Sequence, residues 1–353
     1  ISYSGLVEGD DFTGSYSGVF ANANVGSGKT VTITSSYSGA DVSNYSVTDQ
    51  STTTANISAK VLTATASASN KTYDGGTTAS TTLTFTGLVG SETLGQTVGS
   101  TFDNKNVGSN KTVTVNSITL GNGSNGGLAA NYSISAGQTT TANITAKSLT
   151  VSGITASNRT YDGSTNVTLT GTAVYSGLVD GDTFNGTYTG AFSDKNVGTG
   201  KTVTITPSYS GADVSNYSIT NHANVTANIT AKPLTVSGVT ASDKTYDGSV
   251  TATMNSSSAV YSGFVNGDDF AASYSGVFAN ANVGSGKTVT ITSSYAGADV
   301  SNYNITDQTS TTANITAKAL TATASASNKV YDGSSAATFP LCLSGVIGAE
   351  TVT

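Results

Sequence analysis

The sequence predicts an all-β fold, a tandem array of small antiparallel β-sandwich modules of Ig-like type, each about 85 residues long and fused directly to the next. Polar and apolar residues alternate over short segments, as in KTVTIT at Lys29–Thr34, which is typical of half-buried strands. No segment keeps apolar residues at the helical spacing. Tyr-Asp-Gly triplets begin at residues 73, 161, 246 and 331, at spacings of 88, 85 and 85 residues. The repeated unit is therefore a whole small domain. This favours a sandwich, or a β-grasp-like module as the alternative, over a β-solenoid, whose coils are shorter.

The module 148–232 illustrates the predicted elements. Turn-forming residues separate six apolar-rich segments at intervals typical of short strands. The predicted strands lie near Leu149–Ile154, Val167–Tyr175, Thr183–Phe192, Lys201–Tyr209, Asn216–Thr220 and Val225–Ala231. The predicted core consists of Leu149, Val151, Tyr161, Leu169, Leu178, Phe184, Tyr188, Phe192, Val203, Ile205, Tyr217, Ile219 and Ile229.

A second marker gives the module boundaries. The phrase Ala-Asn-Ile-(Ser/Thr)-Ala-Lys ends at Lys60, Lys147, Lys232 and Lys318. We therefore predict a partial repeat, three complete repeats and the start of another: 1–60, 61–147, 148–232, 233–318 and 319–353. Ile229-Thr230-Ala231-Lys232 continues into Pro233 without a Gly/Ser spacer. A junction this short predicts a stiff connection between modules.

The modules fall into two subtypes. Type A carries Tyr-Ser-Gly-(Leu/Phe)-Val-x-Gly-Asp-x-Phe, as at Tyr175–Phe184, and comprises 1–60, 148–232 and 233–318. Type B has Gly87-Leu88-Val89-Gly90-Ser91-Glu92 or a close variant, and comprises 61–147 and 319–353. The order A, B, A, A, B indicates an A-A-B triplet. It explains why Ser15–Tyr37 returns letter for letter as Ser273–Tyr295, 258 residues later.

Composition limits the function. Only 10% of the residues are charged, the net charge is −7, and there is one cysteine, Cys342. The mild acidity disfavours nucleic-acid binding. No apolar run reaches membrane-spanning length in this window. Near-absence of cysteine suits a large exported bacterial protein.

The triplets and their companions resemble a known family. Asn70-Lys71-Thr72-Tyr73-Asp74-Gly75 and its copies ending at Gly163 and Gly248 match the naming motif of the YDG-type repeats of large bacterial surface and secreted proteins, including filamentous-haemagglutinin-like adhesins. The Asn-Val-Gly and Ala-Asn-Ile-Thr-Ala-Lys phrases fit as well. This resemblance implies an extracellular or cell-surface location and a role in adhesion, biofilm matrix or fibre formation, and it implies no catalytic residues.

Candidate chemistry is sparse, and we predict no catalytic, cofactor-binding or metal residues. Gly200-Lys201-Thr202 and its copies lack the preceding glycine of a P-loop and begin a strand, which excludes nucleotide binding. Tyr161-Asp162-Gly163 and its copies are interpreted as tight turns whose tyrosine packs on the core with its hydroxyl on a polar partner. His222 has no companion for metal or acid–base chemistry.

Two further possibilities stay open. Acidic loops such as Glu8-Gly9-Asp10-Asp11, Asp180-Gly181-Asp182 and Asn266-Gly267-Asp268-Asp269 offer oxygen ligands to Ca²⁺, although not at EF-hand spacing. An intramolecular isopeptide bond would join Lys201 or Lys232 to Asn216 or Asn228, with Asp162 as proton shuttle. Exposed lysines at strand edges are the alternative.

The sequence therefore favours a non-enzymatic structural role. The leading prediction is the shaft of an extracellular bacterial fibre or adhesin, with other copies of the same protein as partners if filaments form. The alternative is a set of weak glycan-binding modules that gain affinity by multivalency on host or matrix surfaces. Binding on a glycan array would discriminate the two classes.

Overall fold

The computed structural model describes residues 1–352, and these residues are almost entirely β-strand and turn. They form two compact units. The first comprises 1–151, 175–185 and 209–220, and the second comprises 152–174, 186–208 and the chain from 221 onward. The repeat 148–232 thus contributes residues to both units.

Each repeat has its own series of short strands, and the first strand of each complete repeat starts at the closing lysine of the repeat before it. The partial repeat 1–60 contains Thr13–Phe20, Gly26–Ser38 and Thr52–Ile57. The next repeat contains Lys60–Val61, Thr63–Ala68, Lys71–Thr72, Thr78–Ala79, Thr81–Thr86, Leu94–Phe102, Gly108–Asn122, Tyr132–Ser133 and Thr139–Thr145. The third contains Lys147–Ala156, Arg159–Thr160, Leu169–Ser176, Asn185–Phe192, Gly198–Ser210, Tyr217–Thr220 and Val225–Thr230. The fourth contains Lys232–Ser237, Thr240–Ala241, Lys244–Thr245, Thr251–Ala252, Met254–Asn255, Val260–Ser262, Ala271–Phe278, Gly284–Ala296, Tyr303–Thr306 and Ser310–Thr316. Thr321–Ala324 and Leu341–Ser344 follow. Short 3₁₀ helices lie at Val42–Asn44, Ala129–Asn131, Val214–Asn216 and Val300–Asn302.

The repeat 233–318 shows the sheet order within one unit. Its long hairpin pairs Ala271–Phe278 with Gly284–Ala296, which also pairs antiparallel with Ser310–Thr316. Lys244–Thr245 then adds in parallel at the edge of this sheet. A second sheet pairs Lys232–Ser237 antiparallel with Val260–Ser262 and parallel with Tyr303–Thr306.

The repeat 61–147 follows the same plan inside the other unit. Its hairpin of Leu94–Phe102 and Gly108–Asn122 pairs with Thr139–Thr145, and Lys71–Thr72 adds in parallel. The all-β tandem fold predicted from the sequence is confirmed. The sequence predicted antiparallel sheets, but these three sheets are mixed because each contains a parallel pairing that was not predicted.

The predicted strands of the repeat 148–232 coincide with observed strands to within a few residues at most ends. The alternation that predicts them also sets burial: in Gly284–Ala296, Val289 and Ile291 are buried while the threonines between them are exposed. Nine of the predicted core residues are buried. The other four, Leu169, Leu178, Tyr188 and Ile219, are half-buried.

No helix in the part of the chain that the structure describes is long and apolar enough to cross a membrane.

Candidate functional site at the repeat junctions

The buried Tyr-Asp-Gly tyrosines contact the repeat that follows them. Tyr73 of the repeat 61–147 is fully buried, and its hydroxyl lies 2.8 Å and 2.9 Å from the two carboxylate oxygens of Asp182 in the next repeat. The Tyr217 hydroxyl donates to the same carboxylate at 2.6 Å. The two tyrosine rings meet edge to face with centroids 5.6 Å apart, a favourable aromatic geometry. One carboxylate therefore joins tyrosines from two repeats.

A lysine completes this cluster. The Lys105 ammonium lies 2.8 Å from Asp182 and 2.8 Å from Asp213, both of which belong to the following repeat. It also lies 5.9 Å from the centre of the Tyr73 ring. The carboxylates of Asp182 and Asp213 are almost inaccessible to solvent. Because a buried carboxylate is costly without a partner, the lysine stabilises both.

The pKa values follow from these contacts. Burial opposes the ionisation of Asp182, but hydrogen bonds from Lys105, Tyr217 and Tyr73 lower its pKa below the usual value. The hydrogen bond from Lys105 is the main cause of the lowered pKa of Asp213. Hydrogen bonds to the two aspartates raise the pKa of Lys105. Burial and the hydrogen bond to Asp182 raise the pKa of Tyr217 to about 12. The junction is therefore built for ionised aspartates, a charged lysine and neutral tyrosines.

An asparagine fixes the register of the two repeats. Asn216 is fully buried, and its Oδ1 accepts the backbone N–H of Val107 at 2.9 Å. Its Nδ2 donates to Oδ1 of Asn106 at 3.3 Å. The Asn-Val-Gly phrase of one repeat thus pairs with the Asn-Tyr phrase of the next. A buried amide satisfied in this way specifies one arrangement, because any shift would leave it unpaired.

The second unit contains the same arrangement between the repeats 148–232 and 233–318. The Tyr161 hydroxyl lies 2.8 Å from Asp268, which also accepts from Tyr303 at 2.6 Å. Lys195 lies 3.0 Å from Asp268 and 2.8 Å from Asp299. The buried Asn302 accepts the N–H of Val197 at 2.9 Å.

The triplet itself is a turn, as predicted. The Asp162 carboxylate accepts the backbone N–H of Ser164 at 2.9 Å, and Gly163 adopts a φ of +80°. A Cβ at Gly163 would lie 2.8 Å from Cγ1 of Val265 in the next repeat. Glycine is therefore required twice here, by its backbone angle and by the close approach across the junction.

The structure gives the remaining candidate residues other partners. Lys201 pairs with Asp194 at 2.6 Å, and Asn228 accepts the N–H of Gly200 at 2.8 Å. Asp162 pairs with Arg159. Of the components of the hypothetical isopeptide bond, Lys201, Asn216, Asn228 and Asp162 are therefore engaged elsewhere.

The acidic loops, the histidine and the cysteine are also placed. Asp182 and Asp268 of the loops considered for Ca²⁺ face the junction clusters. Within residues 1–352, no three His, Cys, Asp or Glu side chains group closely enough to hold a metal ion. His222 accepts the N–H of Ile154 at 3.1 Å, and Cys342 is an exposed free thiol.

A cavity of about 770 Å³ lies in the partial repeat 1–60, lined by residues that include Tyr16, Tyr37 and Ile33. In the repeat 233–318 the equivalent tyrosines, Tyr274 and Tyr295, pack against a cluster formed by Val236, Val239 and Ile291. The cavity therefore occupies space that core residues fill in a complete repeat, and we assign it to the core of the partial one.

Sequence reasoning missed the junction cluster. It predicted a polar partner for each triplet tyrosine but did not identify that partner. The Gly-Asp phrase recurs 109 residues after Tyr73 and 107 residues after Tyr161, and an Asn-Tyr phrase follows it in both repeats; that near-regularity was the available signal.

Comparison with known families agrees with this architecture. The YDG domain matches the chain at residues 1–55, 58–142, 145–226 and 230–312. No curated protein matches the chain. The four matches cover most of the sequence, and the chain belongs to the YDG domain family.

Proposed function

We propose that this chain is a structural repeat region, the shaft of an extracellular bacterial fibre or adhesin that supplies reach and stiffness. One observation carries the proposal. The same contacts join each of the A-type repeats 148–232 and 233–318 to the repeat before it. The preceding repeat supplies a tyrosine and a lysine that bind aspartates of the A-type repeat, and a valine N–H that donates to a buried asparagine of that repeat.

Stiffness at such a junction has two sources. The strand Thr139–Thr145 is separated from Lys147–Ala156 by Ala146 alone, and Val225–Thr230 from Lys232–Ser237 by Ala231 alone. Links of one residue leave little freedom to bend. The polar cluster then opposes rotation, because its buried groups lose their partners if the repeats move apart.

The proposed role is mechanical. It requires neither catalysis nor a cofactor. Low charge, near-absence of cysteine and membership of the YDG family support an extracellular location and a role in adhesion or matrix assembly. Lateral pairing with other copies of the chain would extend the same role to a filament.

Electron microscopy of the purified chain tests the proposal. Thin, uniformly stiff single particles are expected for a shaft, and ordered multi-chain bundles for a filament-forming shaft. Particles that bend freely between repeats would contradict the proposal in both forms.

A further inference from the structure

The position of the junction lysine varies between repeats. Lys105 and Lys195 each stand two residues before the valine of Asn-Val-Gly. The same position holds alanine in the other two repeats, Ala23 and Ala281. Lys105 belongs to a B-type repeat and Lys195 to an A-type repeat, so the subtype that carries this position does not determine whether it is lysine.

The subtype of the following repeat determines whether this position is lysine or alanine. The lysine repeats are followed by A-type repeats, whose junction carboxylates are Asp182 with Asp213 and Asp268 with Asp299. The alanine repeats are followed by B-type repeats. There a glutamate takes the first position, Glu92 or Glu350, and in the repeat 61–147 Leu128 stands where the second aspartate would be.

The two kinds of junction share one register. Asn131 accepts the N–H of Val25 at 2.9 Å, the contact that Asn216 makes with Val107. The Glu92 carboxylate accepts from Tyr132 at 2.5 Å, and Glu350 accepts from the triplet tyrosine Tyr246. Ala23 and Leu128 therefore replace a cation and an anion at matching positions.

Charge balance explains why lysine occurs before A-type repeats and alanine before B-type repeats. The two lysine junctions and the junction into the repeat 61–147 each contain one carboxylate more than they contain lysines. An alanine repeat placed before an A-type repeat would leave two nearly inaccessible carboxylates beside each other with no cation. Uncompensated buried charge is strongly disfavoured, and such penalties are how proteins reject wrong partners.

We propose that this lysine-or-alanine position and the facing acids form a matching code that specifies which repeat subtype packs onto which. A repeat with the lysine matches a following repeat with two junction carboxylates, and a repeat with the alanine matches a following repeat with one. The partner is the next repeat of this chain, and the inference does not depend on the proposed shaft function.

A double-mutant cycle in the full chain tests the code. Lys195→Ala removes the cation, and Asp299→Asn removes one carboxylate but keeps an oxygen to accept the N–H of Asp269, which it now does at 2.9 Å. Hydrogen exchange at the amide of Val197, which donates across this junction, is the measurement. In the otherwise unchanged chain, Lys195→Ala should speed this exchange about tenfold or more. In the Asp299→Asn chain, the same substitution should speed it by a much smaller factor.

The control is Lys60→Ala, at an exposed lysine, which should leave exchange at Val197 unchanged. If Lys195→Ala prevents folding, Lys195→Gln replaces it in the same cycle, because glutamine keeps part of the aliphatic stem. An equal acceleration by the lysine substitution in both backgrounds would overturn the code.

Discussion

The hydroxyl of Tyr161 lies 2.8 Å from Oδ1 of Asp268, 107 residues further along the chain and in the next repeat. Tyr73 makes the same contact with Asp182 in the preceding pair of repeats. The Tyr-Asp-Gly triplet therefore connects two repeats as well as forming a turn. Its aspartate and glycine shape the loop, and its tyrosine binds the neighbouring repeat.

Removing this hydroxyl should weaken the joint. Tyr161→Phe keeps the buried ring but leaves Asp268 with only Tyr303 and Lys195, so we expect a loss of about 1–3 kcal/mol in the free energy of unfolding. Urea unfolding measures it. The matched control is Tyr331→Phe, in a triplet whose tyrosine is 94% exposed, against 1% for Tyr161. Equal effects of the two substitutions would contradict the assigned role.

The triplet glycines allow backbone strain to be separated from junction packing. Gly163 and Gly333 have similar φ values, +80° and +75°, but a Cβ contacts Val265 only at Gly163 and finds nothing within 4 Å at Gly333. Gly333→Ala should cost about 1–2 kcal/mol from strain alone. Gly163→Ala should cost about 1–3 kcal/mol more from overpacking. Thermal and urea unfolding of both variants measure the difference, and no difference would exclude a close packing role for Gly163.

Acid should loosen the junctions. The pKa values of Asp213 and Asp299 are lowered in the folded chain, mainly by Lys105 and Lys195 respectively. The folded state then binds fewer protons than the unfolded state, whose aspartates titrate near about 3.9, so stability falls as the pH drops through the lowered values. Urea midpoints measured from neutral pH downward should decline below about pH 5. Asp299→Asn should flatten that decline, and an unchanged slope would argue against a contribution from Asp299.

Alkaline pH should weaken the junctions by ionising their buried tyrosines. Burial and Asp182 raise the pKa of Tyr217 to about 12, whereas an unfolded tyrosine titrates near about 10. The neutral hydroxyl therefore contributes stability that is complete below the unfolded value and is lost as the pH rises through the folded value. Tyrosinate absorbance should show several late-titrating tyrosines, because burial and Asp268 also raise the pKa of Tyr303, and Tyr217→Phe should remove one of them without changing the absorbance gained near about pH 10. If the substitution instead removes absorbance that is gained near about pH 10, the raised pKa of Tyr217 is refuted.

The sequence was sufficient for the strands and most of the core because both depend on local alternation. Val203 and Ile205 face one way in their strand and are buried, as their spacing predicts. Alternation identifies the buried face of a strand but not its neighbour in the sheet. The parallel pairing of Lys147–Thr150 with Tyr217–Thr220 therefore could not be predicted from the pattern.

The junction cluster was hidden for a related reason. Tyr73 and Asp182 lie 109 residues apart, and each fits an ordinary local role, a core aromatic and a loop acid. Asn106-Val107 and Asn216-Tyr217 are in fact opposite sides of one junction.

A distance measurement across one junction tests the central claim of rigid joints most directly. In a Cys342→Ser background, cysteines at the exposed strand positions Thr187 and Ser273 would carry spin labels on consecutive repeats of the second unit. Pulsed electron paramagnetic resonance should give one narrow distance distribution, which Tyr161→Ala should broaden. A broad distribution in the chain with Tyr161 intact would contradict the account.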